Sequence, residues 1–170
     1  MTVMTLPSVN AQSVVPLSTS ELAAWRAFAE TVTDLNSALE ADLAPTGLTL
    51  GDYQVLVFLS ESPDGSMRMV DLACRLQLSP SGLTRRLDGL VKHGHVDRVP
   101  SDTDRRVMRA VITDSGRTAL AAAYPVHLAS VRHRIIDRLA PGDVDAFTRI
   151  FSAIASGLQS ADDSGNAVTS

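Results

Sequence analysis

A chain of 170 residues, 45% of them hydrophobic, is long enough for one domain or two small lobes with a real core. Its single cysteine, Cys74, excludes an internal disulfide framework and fits a reducing compartment, so a cytoplasmic location is expected. No apolar run reaches the roughly 18 residues of a membrane span, and "MTVMTLPSVNAQSVVP" lacks the basic start of a secretory signal, so neither a membrane partner nor export is expected.

The net charge of −4 hides a lopsided distribution. Residues 68–117 hold ten Lys or Arg against six Asp or Glu, which leaves five against thirteen elsewhere. A basic middle between acidic flanks is the footprint of a binding module carried on an acidic scaffold.

Residues 1–17, without hydrophobic period, read as a disordered arm. Ser18 with Glu21 forms a capping box, and Leu22, Trp25, Phe28, Val32, Leu35, Leu39 and Leu43 then recur at helical spacing up to Pro45. Thr49 caps a second helix that stops at "SPDG" (62–65). "MVDLACRL" (69–76) predicts a short helix, and Ser79 before Pro80 opens another that ends at Gly94, giving a helix-turn-helix. Two extended arms, 95–100 and 106–113, bracket the polar "SDTDR" and predict a β-hairpin. Thr113 caps a helix expected to run to about Leu139 with a kink or break at Pro125, and Pro141 is expected to open a last helix. "QSADDSGNAVTS" reads as a frayed tail.

The helix from Pro80 carries the chemistry. With Leu83 at zero and 100° per residue, Leu87, Leu90 and Val91 lie within about 80° of it, while Ser81, Thr84, Arg85, Asp88 and Lys92 gather at the opposite pole. Hydroxyls and an arginine can address phosphates and base edges, the equipment of a major-groove reader. Arg86, on the flank of the core side, suits a structural or phosphate-binding role before a base-reading one. A helix-turn-helix followed by a hairpin with Arg105 and Arg106 at its tip is the winged-helix order, in which the hairpin reaches the adjacent minor groove. Asp102 and Asp104 are expected to cap that turn and pair with the arginines.

Residues 48–116 resemble the MarR family of bacterial winged-helix regulators, most specifically in "SPSGLTRRLDGLVKHGHV" and "SDTDRRVMRAVITDSG", and the likeness extends over roughly residues 18–160. The resemblance implies a mainly α (α+β) fold, a winged helix-turn-helix with a two-stranded wing between N- and C-terminal dimerisation helices. On this reading residues 18–48 and 114–160 form the helical dimerisation lobe, 49–113 the DNA-binding lobe and 161–170 a flexible tail. It further implies a homodimer on a pseudo-palindromic double-stranded DNA operator, a transcriptional repressor released by a small aromatic or lipophilic ligand. Family DNA contacts map onto Ser79, Ser81, Thr84, Arg85, Arg105 and Arg106, with Arg86 beside them. Ligands in the family bind near the first and second helices, where Trp25, Arg26 and Tyr53 offer two rings and a cation, although plain core packing of both aromatics is the favoured reading. Asp88, the acidic bracket 102–104, Ala140 and Pro125 depart from the family pattern.

No Ser-His-Asp order, paired carboxylates, phosphate loop or cysteine cluster is readable, so neither an enzyme nor a cofactor or metal is expected. Cys74 reads as a buried, inert packing residue. His93 and His95, or His127 and His133, lack the spacing of a metal site. The alternatives are a winged-helix protein-interaction module, or a ligand-binding protein, without DNA function.

Overall fold

The computed structural model describes residues 15–166. The chain divides after Ser37 into two compact units. Helix α1 (Thr19–Leu43) starts in the first and ends in the second. In the first unit its start is fixed locally: the Ser18 amide donates to Glu21 Oε2 at 2.7 Å and the Glu21 amide to Ser18 Oγ at 3.3 Å, the expected capping box. Leu22, Trp25, Phe28 and Val32 are all exposed along this helix.

The second unit continues through a 3₁₀ turn (Ala44–Thr46), α2 (Leu50–Glu61), β1 (Ser66–Arg68), α3 (Met69–Arg75), α4 (Pro80–Lys92), β2 (Val96–Pro100), β3 (Met108–Ile112), α5 (Asp114–Arg134), a second 3₁₀ turn (Ile136–Arg138) and α6 (Asp143–Asn166). Leu43, Val55, Leu56, Leu59, Leu72, Leu83, Leu87 and Val96 are its fully buried core. The three strands form one antiparallel sheet in the order β1-β3-β2. Val96 pairs with Ile112 and Pro100 with Met108, which is the expected hairpin. Strand β1, absent from the two-stranded expectation, adds Ser66 opposite Val111 and Arg68 opposite Arg109; three residues are too few to show an alternation in sequence.

The HTH end signals are local and appear as expected. Thr49 forms a capping box with Asp52. After α4, Gly94 adopts φ +71 while the Gly94 amide donates to Val91 O at 2.9 Å and the His95 amide to Leu90 O at 2.8 Å, a Schellman closure that turns the chain into the hairpin.

Two helix ends differ from the sequence expectation, and of the kink or break expected at Pro125 the break does not occur. Helix α5 passes through Pro125 unbroken, because a proline deletes one backbone bond while Ala123 before it, and the His127 ring on Tyr53 and Ser130 on Asp42 after it, remain packed. It ends at Arg134 rather than near Leu139, where Ile135 leaves helical geometry at φ −120, ψ −69. The last helix opens at Asp143 and not at Pro141: Gly142 at φ +90 makes a turn, and Asp143 Oδ2 accepts from the Ala140 amide at 3.2 Å. Helix α6 is described as far as Asn166, inside the expected tail, and positions 1–14 of the expected arm lie outside the described residues, as do 167–170. Along α6, Val144, Phe147, Ile150, Phe151, Ile154 and Leu158 are exposed. Among the described residues no helix is long and apolar enough to cross a membrane.

Candidate nucleic-acid interface

Helix α4 is positioned from beneath by Leu83, Leu87 and Leu90, each no more than 2% exposed. Val91, at the edge of that stripe, stays 38% exposed. The start of the helix is set by Ser79, whose Oγ accepts from the Gly82 amide at 3.1 Å and lies 3.2 Å from Ser81 Oγ. Thr84 Oγ1 donates to Pro80 O at 2.9 Å. Ser79, Ser81, Thr84 and Arg85 are thus exposed together on the first two turns of one helix. Each hydroxyl has a local partner and keeps spare capacity for an acceptor or donor from outside.

Arg86 leaves this group. It is half-buried against α2, with Nη1 3.9 Å from Asp52 Oδ1. The guanidinium lies over Gly51 so closely that any Cβ there would collide with it. The contact joins α4 to the start of α2 and leaves open which of the two expected roles, structural or phosphate-binding, Arg86 fills.

The hairpin turn between β2 and β3 is closed by its backbone: the Ser101 amide donates to Val107 O at 2.8 Å and the Val107 amide to Asp104 O at 2.9 Å. Asp104 Oδ1 accepts from the Arg106 amide at 2.9 Å, so the acid caps the turn as expected. The expected pairing with guanidinium groups does not form: among the described residues no ion pair joins Asp102 or Asp104 to Arg105 or Arg106. The main chain takes the carboxylate, and both arginine side chains stay exposed at the tip.

Two charged anchors escaped the sequence reading. Arg98 reaches from β2 to α4, its Nη2 donating to Thr84 O at 2.7 Å and to Asp88 Oδ1 at 2.8 Å. Arg109 on β3 binds Asp64 at 2.6 Å and also Ser66, and the Ser66 hydroxyl holds the Asp64 carboxyl below its ordinary range. The available signal was strand alternation: Arg98 shares a face with buried Val96, and a charge on the inner face of a strand needs a partner.

Cys74 is exposed, which corrects the expectation of a buried thiol. Leu72 and Ala73 set the inner face of α3, and Cys74, about 200° round from Leu72, points outward. The two aromatics belong to different units of the chain. Trp25, expected as core, is 56% exposed in the first unit, where Arg26 is exposed beside it. Tyr53, in the second, is 6% exposed with its ring 4.5 Å from that of His127, and burial raises its hydroxyl above the usual phenol range. Tyr53 also borders an open cavity of about 520 Å³ between α2 and α5, with Val57, Leu120 and Tyr124 as further walls and Arg117 and Glu61 at its edge. Among the described residues no group of three or more potential metal ligands gathers.

Comparison with known proteins gives a consistent result. The family model described as MarR family matches residues 46–107. The HTH-type transcriptional repressor Rv2887 of Mycobacterium tuberculosis is 30% identical over 122 residues, 72% of this chain and 86% of that protein. The structure of AbsC, a MarR family transcriptional regulator from Streptomyces coelicolor, superposes with a TM-score of 0.82 at 38% identity, covering 86% of this chain and 99% of that one. Sco3205, a MarR family transcriptional regulator from the same organism solved in complex with DNA, gives 0.83 at 32% identity, with 87% and 93% covered.

Proposed function

This chain belongs to the MarR family, and from that premise we propose that it is a homodimeric, sequence-specific regulator of transcription that binds a pseudo-palindromic double-stranded DNA operator. The observation that carries this reading is the pairing of an exposed hydroxyl-and-arginine face on α4 with a hairpin whose tip presents two exposed arginines. Ser79, Ser81, Thr84 and Arg85 address the major groove; Arg105 and Arg106 address the flanking minor groove, where a narrow groove concentrates negative potential. Arg86 supports the helix from behind. The DNA-binding lobe is residues 49–113, and residues 18–48 with 114–160 form the dimerisation lobe. Two half-sites lie about 10 base pairs apart, centre to centre.

The regulator acts as a repressor, and the release signal is a small aromatic or lipophilic acid. Support comes from the cavity beside Tyr53, largely apolar along its walls, with Arg117 as well as Glu61 at its edge. Such a ligand shifts DNA binding only by favouring one of two conformations. Selection of bound fragments from the encoding genome at near-physiological salt, followed by footprinting, tests the DNA reading: two symmetric half-sites support it, and recovery of no preferred sequence refutes it.

A further inference from the structure

We propose that Arg98 is a positioning residue that sets operator selectivity without touching DNA, by locking the wing to the recognition helix. The inference rests on the DNA-binding reading above and adds a residue to it. Arg98 leaves the first strand of the wing and grips one turn of α4 at the level of the proposed base contacts. One nitrogen, Nη2, donates to the carbonyl of Thr84 at 2.7 Å and to Asp88 Oδ1 at 2.8 Å, so the bond spans positions i and i+4 of the helix. The side chain is only 26% exposed, and its Nε is buried with no hydrogen-bond partner. An orphaned buried donor is a cost, which the two bonds at the other end of the guanidinium offset.

The geometry has two consequences. The hairpin tip and the helix must enter neighbouring grooves of one duplex together, so the angle between them decides whether one docking satisfies both. Arg98 adds directional polar bonds from the middle of the helix to the apolar packing of Leu83, Leu87, Leu90 and Val96, and so helps to fix that angle. The same bond also disposes of Asp88, 62% exposed on the otherwise cationic face, whose carboxylate would repel phosphates if left unpaired. Arg98 therefore couples the two reading elements and masks the acid on the exposed face of α4.

The test uses full-length dimer, the best duplex from genomic selection and a scrambled duplex of the same composition. Binding isotherms are recorded for the parent, Arg98→Met, Asp88→Ala and Asp88→Asn, each with and without Arg105→Ala plus Arg106→Ala, and unfolding midpoints accompany them. Arg98→Met is expected to lower the operator-to-scrambled ratio about tenfold, the loss of one good base contact. It also shrinks the cost of removing the wing arginines, because an unlocked wing no longer docks with the helix. Asp88→Ala lowers the ratio while strengthening scrambled binding, since a negative charge is gone. Asp88→Asn keeps the acceptor and stays within about threefold of the parental ratio, well short of the tenfold loss of one base contact. If Arg98 instead touched phosphate, Arg98→Met would weaken both duplexes equally. If it were merely structural, the midpoint would fall with the ratio unchanged. Either result, or additive wing and Arg98 losses, overturns the proposal. Should Arg98→Met fail to fold, Asp88→Ala at its exposed position decides the matter alone. A parent that selects no duplex refutes the DNA reading itself, whereas a selective parent with an unaltered Arg98→Met ratio refutes only the lock.

Discussion

The central module and the terminal helices use the same apolar periodicity to different ends. Leu83, Leu87 and Leu90 recur along α4 and are at most 2% exposed, covered by α2, α3 and β2 of the same chain. Along α6, Phe147, Ile150, Ile154 and Leu158 recur at the same spacing and remain 38–63% exposed; Leu22, Trp25 and Phe28 along α1 remain 37–56% exposed. An amphipathic pattern states that a face is to be buried and not by what. The module closes its own core, and the exposed stripes are long enough to call for a second copy of the chain.

The sharpest way to break the contrast is to charge the stripe. Ile150→Glu with Ile154→Glu is expected to reduce the sedimenting species from roughly twice 18.1 kDa to a monomer. Operator affinity falls about 100-fold or more, because one half-site then binds without the other. A parent chain that is monomeric at micromolar concentration yet binds operator tightly would refute the assembly. The complementary change inside the module is Leu87→Ala, at a fully buried site. It should cost about 2–5 kcal/mol of stability, read from denaturant unfolding, while sedimentation below the transition still gives the dimer.

What was legible in the sequence follows the same division. Ser18, Thr49, Ser79 and Thr113 could be named as caps because a cap is settled within four residues. The helix-turn-helix, the hairpin and the exposed polar face of α4 followed from local period and turn chemistry. Features decided by distant parts of the chain did not. Strand β1 exists because β3 offers it an edge, and α5 crosses Pro125 because packing on both sides holds it. Cys74 lies outside because Leu72 and Ala73 claim the inner face, and the grips of Arg98, Arg109 and Arg86 span 10 to 45 residues. Trp25, read as core, sits on the stripe of a helix expected to dimerise, so a second copy of the chain is what would bury it.

Within the module, two arginine sets should separate specificity from general affinity. Arg85→Ala removes a recognition-helix contact, expected to cost about 1–3 kcal/mol per half-site on operator and to narrow the gap to random DNA. Arg105→Ala with Arg106→Ala removes the proposed groove charge instead, so binding weakens on both duplexes, more on operator where wing and helix dock together, and the salt slope drops. Isotherms at several salt concentrations distinguish them. A folded, dimeric wing double mutant that binds operator like the parent would reduce the hairpin to a connection between elements.

The smallest expected effect lies where the end of α1 meets α5. Asp42 near the end of α1 accepts from Arg134 Nε at 2.8 Å and Nη2 at 3.0 Å and from Ser130 Oγ at 2.5 Å, all on α5. The Arg134 bonds first, then the Ser130 hydroxyl, hold its carboxyl at about 2, against 3.8 for the free group. A carboxyl depressed in the folded chain lends its full stability above the unfolded value. That contribution declines as the pH falls from 3.8 and is gone below 2. Unfolding midpoints of the parent and Asp42→Asn, recorded from pH 5 downward, should differ most at pH 5 and converge as pH 2 is approached. A gap that stays constant across this window would mean the Asp42 charge adds nothing, and that uncharged hydrogen bonds and packing alone secure the junction between a helix that closes the module's core and one whose outer face waits for a partner.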